Sequence, residues 1–291
     1  MNSLGCFYGL IIGNLLGSSY ENFGKNGIEN SIKNNTIHGI LHINLINYMD
    51  NMELPLLSSN TIIENGSYDK YKIALQYIEW FNRTDTDLIS PVIEYAFYQS
   101  NDYLDIINNS KKYNIDSLTN DILIRLPPYA IYGDSSNTKQ QVIDECMLSN
   151  PNPICIDIAY IYVLSIQNAI MGMGKKLIME YAIQKSNSTI TKNILIDSKI
   201  NRYFNSKDPN HIAISFQAAF YELYNGSDFY NSMINIVRMG GSTTINSMIV
   251  GSLLGSFYGT EHIPKKWFNS IHQKYNLNEI DDMIDSLMFL E

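Results

Sequence analysis

The apolar positions of this chain recur with a helical period almost throughout. In KYKIALQYIEWF, residues 70–81, Ile73, Tyr77 and Trp80 lie on one stripe with Ala74, Ile78 and Phe81 beside it. The segments CIDIAYIYVLSIQNAIM, 155–171, and HIAISFQAAFYELY, 211–224, repeat the spacing. Alternating, strand-like patterns are few, and prolines punctuate the periodic segments at Pro127-Pro128 and at Pro151 and Pro153. These features predict an all-α fold, a compact orthogonal helical bundle forming a single domain over residues 1–291. The Asn- and Ser-rich stretches 22–37 and 185–209 read as surface loops, although ILID within the second is apolar enough to hold a short element.

Two helical segments echo each other. GNLLGSSY at 13–20 resembles GSLLGSFY at 251–258, and each belongs to a glycine series spaced by four: Gly5, Gly9, Gly13 and Gly17, then Gly251, Gly255 and Gly259. That spacing lays a glycine ridge along one helix face, where another backbone can approach closely. Each such glycine costs roughly 1 kcal/mol against alanine. Tight packing must offset this, most simply of the two helices against each other or against a shared neighbour, so 5–17 and 245–259 are expected to be buried and close in space. The first of them, LGCFYGLIIGNLLGSS, has the apolar character of a signal peptide. It lacks a basic region ahead of it and is interrupted by Asn14, which makes it a core helix.

Composition narrows the class. Apolar residues make up 45% of the 291 positions, ample for a core, whereas the formal net charge of −9 and the absence of a basic stripe argue against a nucleic-acid partner. No uninterrupted apolar run has the length of a membrane span, so no membrane partner is expected. Three cysteines, Cys6, Cys146 and Cys155, form no disulfide framework and favour a reducing, cytoplasmic setting. The sequons at Asn65, Asn82, Asn187 and Asn225 are then accidents of an Asn-rich chain. His38 and His42 would share a helical face, but no third ligand stands nearby for zinc.

The candidate chemistry centres on MGGSTTINSMIVGSLLGSFYG, residues 239–259. Two glycines and three hydroxyls precede a helix whose first-turn N–H groups invite an anion or polar ligand, with Ser242, Thr243 and Thr244 as capping residues. This stretch is similar to the late motif G-G-D-T-D-T-N-x-x-I-x-G-x-L-x-G of the ADP-ribosylglycohydrolase family. GCFYGLIIGNLLGSSYE, 5–21, resembles that family's opening glycine helix with its following glutamate. NDILIRLPPYAIYG, 120–133, resembles N-G-S-L-M-R-x-x-P-L, and SNPNP, 149–153, resembles T-H-x-H-P; AAFYELYNGSDFYNSMINIVRMGG and HIPKKW follow in matching order.

The resemblance implies an all-α hydrolase of ADP-ribosyl bonds that uses two magnesium ions, with ADP-ribose or a related nucleotide as the ligand. The ions would be held by an early T-D-D-T motif and by both aspartates of the late one. Here the early motif aligns with Tyr68-Asp69-Lys70-Tyr71, and the late aspartates fall on Ser242 and Thr244. Of four expected carboxylates only Asp69 remains, and Lys70 would repel a cation or pair with Asp69. The resemblance therefore implies degenerate metal positions at Asp69, Lys70, Ser242 and Thr244 and no bound magnesium.

Glu21 takes the place of the family glutamate linked to substrate gating, with a surface acid at a helix end as the alternative. Asn120, Arg125, Gly240, Gly241, Ser242, Thr243, Thr244 and Asn246 are carried over as ligand-binding positions. Arg125 is equally readable as a phosphate partner or a structural ion-pair residue. Asn14 replaces an aspartate, Asp121 and Ile122 replace the G-S pair, and Asn150 replaces a histidine. Three readings stay open: a pseudoenzyme kept for binding or structure; an active hydrolase with a non-standard site built on Asp69 and Glu21; and a scaffold or particle component whose pocket is filled by Tyr68, Tyr71 and Ile122.

Overall fold

In the computed structural model every residue is described except 1, 22, 38–39, 42, 44–50, 86–88, 134–135 and 291. Among the described residues the helices are, in chain order, α1 (Asn2–Ser18), α2 (Lys25–Asn35), α3 (Glu53–Asn65), α4 (Lys70–Arg83), α5 (Pro91–Phe97), α6 (Tyr103–Tyr113), α7 (Pro127–Tyr132) and α8 (Thr138–Met147). There follow α9 (Pro153–Ile170), α10 (Lys175–Lys185), α11 (Thr189–Asp197), α12 (Ile212–Asn225), α13 (Phe229–Met239), α14 (Thr243–Tyr258), α15 (Lys265–His272) and α16 (Leu277–Met288). Single 3-10 turns occupy Asp121–Arg125 and Thr260–His262. The fold is all-α; two-residue strands β1 (Thr36–Ile37) and β2 (Ile40–Leu41) make one small antiparallel ladder, Thr36 opposite Leu41.

The ends of the helices follow from local chemistry. Asp69, Asp102, Ser188 and Asp228 cap α4, α6, α11 and α13 through side-chain oxygens that accept first-turn N–H groups. Pro153 opens α9 behind the Asn152 cap, in the first turn, where its missing N–H leaves no intrahelical bond unmade.

The centre of the molecule is the antiparallel pair α1 and α14. Gly5 faces Gly255 and Gly9 faces Gly251, so closely that a Cβ placed on Gly9 would lie 2.0 Å from the Gly251 carbonyl oxygen. Placed on Gly255, it would lie 1.9 Å from the carbonyl oxygen of Gly5. No alanine fits either way. Further along, Gly13 meets Ser247 and Met248, and Gly17 meets Thr243 and Thr244. The expected glycine contact is therefore direct, helix to helix, and both helices are buried along almost their whole length. α9, α12 and α13 pack around α14 and complete one connected apolar cluster that runs from Cys6 to Leu287. α9 alone among the described helices is long and apolar enough to cross a membrane by length and composition, and 61% of it is buried inside this packing.

Two stretches expected as loops hold helices. Within 22–37, α2 places Ile28 and Ile32 one turn apart, both buried, against α13. Two isoleucines at that spacing suffice for a stripe, which the surrounding asparagines and lysines obscure in the sequence. Within 185–209, α11 buries Thr191, Ile194 and Leu195, so the ILID run is its second half.

Candidate functional site

The entrance to α14 is shaped by its two glycines. Gly240 and Gly241 have φ of +70° and +72°, a left-handed conformation that a Cβ would strain, and they turn the chain out of α13 into Ser242. Ser242 stands at the cap position, yet its hydroxyl makes no capping bond. The cap is Glu21, which follows α1: its Oε2 accepts the Thr244 backbone N–H at 2.6 Å and the Thr244 hydroxyl at 2.5 Å. This corrects the expectation that hydroxyls 242–244 cap the helix. A carboxylate suits that place better, because it meets both the free N–H groups and the positive end of the helix dipole. Its arrival there depends on Gly17, whose missing side chain lets the end of α1 touch Thr243 and Thr244.

Asn120 and Asn246, named from separate motifs, are joined: the Asn120 amide donates to Asn246 Oδ1 at 3.1 Å, with both side chains buried. Asn120 is further fixed by its backbone N–H, which donates to the Asn210 carbonyl at 2.8 Å. One residue past Thr244, Ile245 lines a cavity of about 410 Å³, together with Asn120, Asp121 and Arg125. Asn51, two residues ahead of α3, and Glu53, its first residue, line the same cavity. Asn51 also donates to Asn14 Oδ1 on α1 at 3.1 Å.

Arg125 lines this cavity but is only 1% exposed, because its Nε pairs with Glu145 Oε1 at 2.8 Å, a carboxylate equally buried. Glu145 also accepts the Tyr129 hydroxyl at 2.7 Å, and Arg125 Nη2 donates to Ser149 Oγ at 2.7 Å. Burial pushes the Glu145 carboxyl above the usual carboxylate range, against the opposing pull of Arg125. Of the two sequence readings of Arg125, this geometry is that of the structural ion pair. From Ser149 a polar chain runs on through Asn150 to Thr119 at 2.9 Å and from Thr119 to Asp121 at 2.7 Å. Asn150 thus serves the wall of the cavity from behind.

Asp69 and Lys70 stand elsewhere. Asp69 Oδ1 accepts the N–H groups of Tyr71 and Lys72 at 2.9 and 3.2 Å as the cap of α4, and neither Asp69 nor Lys70 lines the cavity. The expected pairing of Lys70 with Asp69 is replaced by an ion pair with Asp144 at 3.3 Å, over the rings of Tyr71 and Tyr103. Burial is the largest influence and works against the Lys70 charge, but Asp144 together with Tyr103 and Tyr71 outweighs it and holds the ammonium above the usual lysine range. The side chains expected to fill the pocket are also engaged elsewhere: Tyr68 packs edge-on against Tyr129, Tyr71 is 56% exposed, and Ile122 is in the core.

Among the described residues no group of three or more His, Cys, Asp or Glu side chains is placed to hold a metal ion. His38 and His42 lie outside the described residues. All three cysteines are free and buried, and burial pushes the Cys6 and Cys155 thiols up to about 12, which leaves them unreactive at neutral pH.

Sequence reasoning missed Asn51, Glu53 and Glu145. The signal for Glu145 is its place three residues after Val142 and one before Cys146, on an apolar stripe where an acid needs a buried cation. For Asn51 and Glu53 it is the acid-amide pair Asp50-Asn51 directly ahead of the helical run ELPLLSS; Asp50 itself lies outside the described residues.

The profile of the ADP-ribosylglycohydrolase family matches residues 2–290. A protein of Acanthamoeba polyphaga mimivirus carrying the name ADP-ribosyl glycohydrolase is 29% identical over 249 residues, 77% of this chain and 74% of its own. The ADP-ribosyl-[dinitrogen reductase] glycohydrolase of Rhodospirillum rubrum is 21% identical over 296 residues, 99% of this chain and 96% of its own. A solved structure titled ADP-ribosylglycohydrolase-related protein complex superposes with a TM-score of 0.77 at 17% identity, covering 99% of this chain and 97% of that one, a likeness of fold.

Proposed function

Because the chain belongs to the ADP-ribosylglycohydrolase family, we propose that it keeps the family's fold and a ligand cavity but has lost magnesium-dependent hydrolysis of ADP-ribosyl bonds, and serves as a cytoplasmic binding protein. The observation that carries this is the entrance of α14. Where the family has two aspartates the chain has Ser242 and Thr244, and the nearest carboxylate, Glu21, is taken up by the Thr244 N–H and hydroxyl.

The early motif is better matched to residues 49–52, because Asn51 lines the cavity beside α14 whereas Asp69 caps a helix outside it. In that register Asp50 and Asn51 take the two aspartate positions. One expected carboxylate of four then remains, as in the register through Asp69, but it is a different one. Magnesium demands near-octahedral oxygen and usually carboxylate charge. Two such ions carry four positive charges, and the four aligned positions offer only two hydroxyls, one amide and one acid against them.

The active-hydrolase alternative built on Asp69 and Glu21 finds little support, since one acid caps α4 and the other caps α14. The scaffold alternative is opposed by the open cavity. ADP-ribose, the ligand offered by the resemblance, would meet a helix N-terminus already bonded to Glu21.

The test is magnesium calorimetry on the native chain and on an Asn51→Asp, Ser242→Asp, Thr244→Asp variant. Binding at millimolar metal by the variant and not by the native chain is the expected result; equal binding by the native chain overturns the reading.

A further inference from the structure

The net charge of −9 conceals a stretch of the opposite sign. Residues 171–207, which span α10, α11 and the start of the segment leading to α12, hold seven basic and two acidic residues, a net of +5. Arg202 is paired with the buried Glu222, whereas among the described residues none of the six lysines stands within ion-pair distance of a carboxylate. Apolar side chains lie bare between them. Of the sixteen large apolar side chains exposed among the described residues, six fall at 171–203, led by Ile200 at 83%. On α11, Lys192 and the exposed Ile196 are one turn apart, with Lys199 and Ile200 just past its end. α9 and α12 cover the inner sides of α10 and α11 and leave this face to solvent.

The complementary pattern stands on α16. Residues 276–290 hold four acidic residues and no basic one. Asp281 turns inward to the Tyr8 hydroxyl, while Glu279, Asp282 and Asp285 are exposed and Met288 and Phe289 lie bare at the end of the helix. From these two faces we propose that the α10–α11 face of one chain docks on α16 of a second copy, head to tail. Lysines then meet carboxylates, and Ile196 and Ile200 meet Met288 and Phe289. α16 packs on α1, α3 and α7, whereas α10 and α11 pack on α9 and α12, so the pairing is between chains and not within one. Two copies of the basic face would repel each other, which disfavours a symmetric dimer through it. A head-to-tail contact leaves one face of each kind free, and association continues past the dimer. Nothing in this contact depends on the α14 entrance or the cavity.

The experiment is sedimentation velocity on the native chain in a dilution series at low and high salt. Association is expected at low salt with a midpoint on the order of 10–100 micromolar, as for small transient contacts. At about 0.5 M salt it should weaken roughly tenfold or more, because screening shortens the reach of exposed charges. Lys176→Glu with Lys192→Glu removes the basic face, and Asp282→Asn with Asp285→Asn removes the acidic one. Each variant alone should stay monomeric across the series, while an equimolar mixture forms dimers and nothing larger, since one chain keeps the acidic face and the other the basic. That recovery is beyond a misfolded variant. A native chain that stays monomeric at low salt overturns the inference, and so do association that neither variant changes and a mixture that stays monomeric. Binding of the native chain, and not of the lysine variant, to vesicles with about 30% phosphatidylserine would overturn it as well, by assigning the basic face to lipid.

Discussion

The carboxylate of Glu21 accepts the backbone N–H of Thr244 across 223 positions of sequence, and so joins the end of α1 to the start of α14. The bond satisfies a first-turn N–H group and sets negative charge at the positive end of the helix dipole. Glu21→Ala should lower stability by about 1 kcal/mol, within the range for lost helix caps, read from urea unfolding. An unchanged midpoint would mean that Glu21 points to solvent, the alternative left open by the sequence.

The glycine contact makes a harsher demand. Gly9→Ala and Gly255→Ala each force a methyl group into a facing carbonyl, at 2.0 and 1.9 Å, so the two helices must separate. Overpacking of this kind costs about 1–3 kcal/mol, or more where backbone rather than side chain must move. Gly174→Ala is the control, with nothing within 4 Å of the added carbon, and it should change stability by less than about 1 kcal/mol. Equal effects at Gly174 and Gly255 would refute the backbone contact.

The buried pair of Arg125 and Glu145 should behave as a unit. Arg125→Met alone leaves a carboxylate in the core with the Tyr129 hydroxyl for a partner, at a cost of about 3–5 kcal/mol. Arg125→Met with Glu145→Leu should recover most of that loss. Additive single effects in a double-mutant cycle would show that the pair is not coupled and reopen a ligand-binding role for the arginine.

His211 supplies a pH dependence whose sign is fixed by geometry. Its Nδ1 accepts the Ala213 N–H at 3.1 Å as the cap of α12, so the ring must be neutral in the native state. Burial lowers its pKa below the ordinary 6.5, against a smaller upward pull from Asp208. The unfolded chain therefore binds the proton more readily, and stability falls as pH drops through about 6.5 toward the lower folded value. His211→Asn, which can cap without titrating, should flatten the loss of melting temperature between about pH 7 and pH 5. An identical slope in both proteins would remove His211 from the account.

Much of this was legible in the sequence, for physical reasons that differ by residue. The glycine ridges announced their own contact, because a costly residue repeated every four positions has few explanations besides close backbone approach. Asn120 and Asn246 were placed by motif and do meet. Asp69 could not be placed, since an acid ahead of a helical run reads the same whether it caps the helix or faces a pocket. The Glu145 partner of Arg125 and the Glu21 bond to Thr244 are long-range pairings, set by how helices pack and not by anything local to either residue. α2 was hidden by composition: asparagine is a poor helix former, and only burial of Ile28 and Ile32 against α13 decides the segment.

The central claim is that the α14 entrance, with Ser242 and Thr244 in place of two acids and Glu21 bonded across it, no longer supports metal-dependent hydrolysis. The most direct measurement is release of ADP-ribose from an ADP-ribosylated protein by the native chain, with and without millimolar magnesium. The account predicts release no greater than in the enzyme-free blank in both conditions. Magnesium-dependent turnover by the native chain would contradict it.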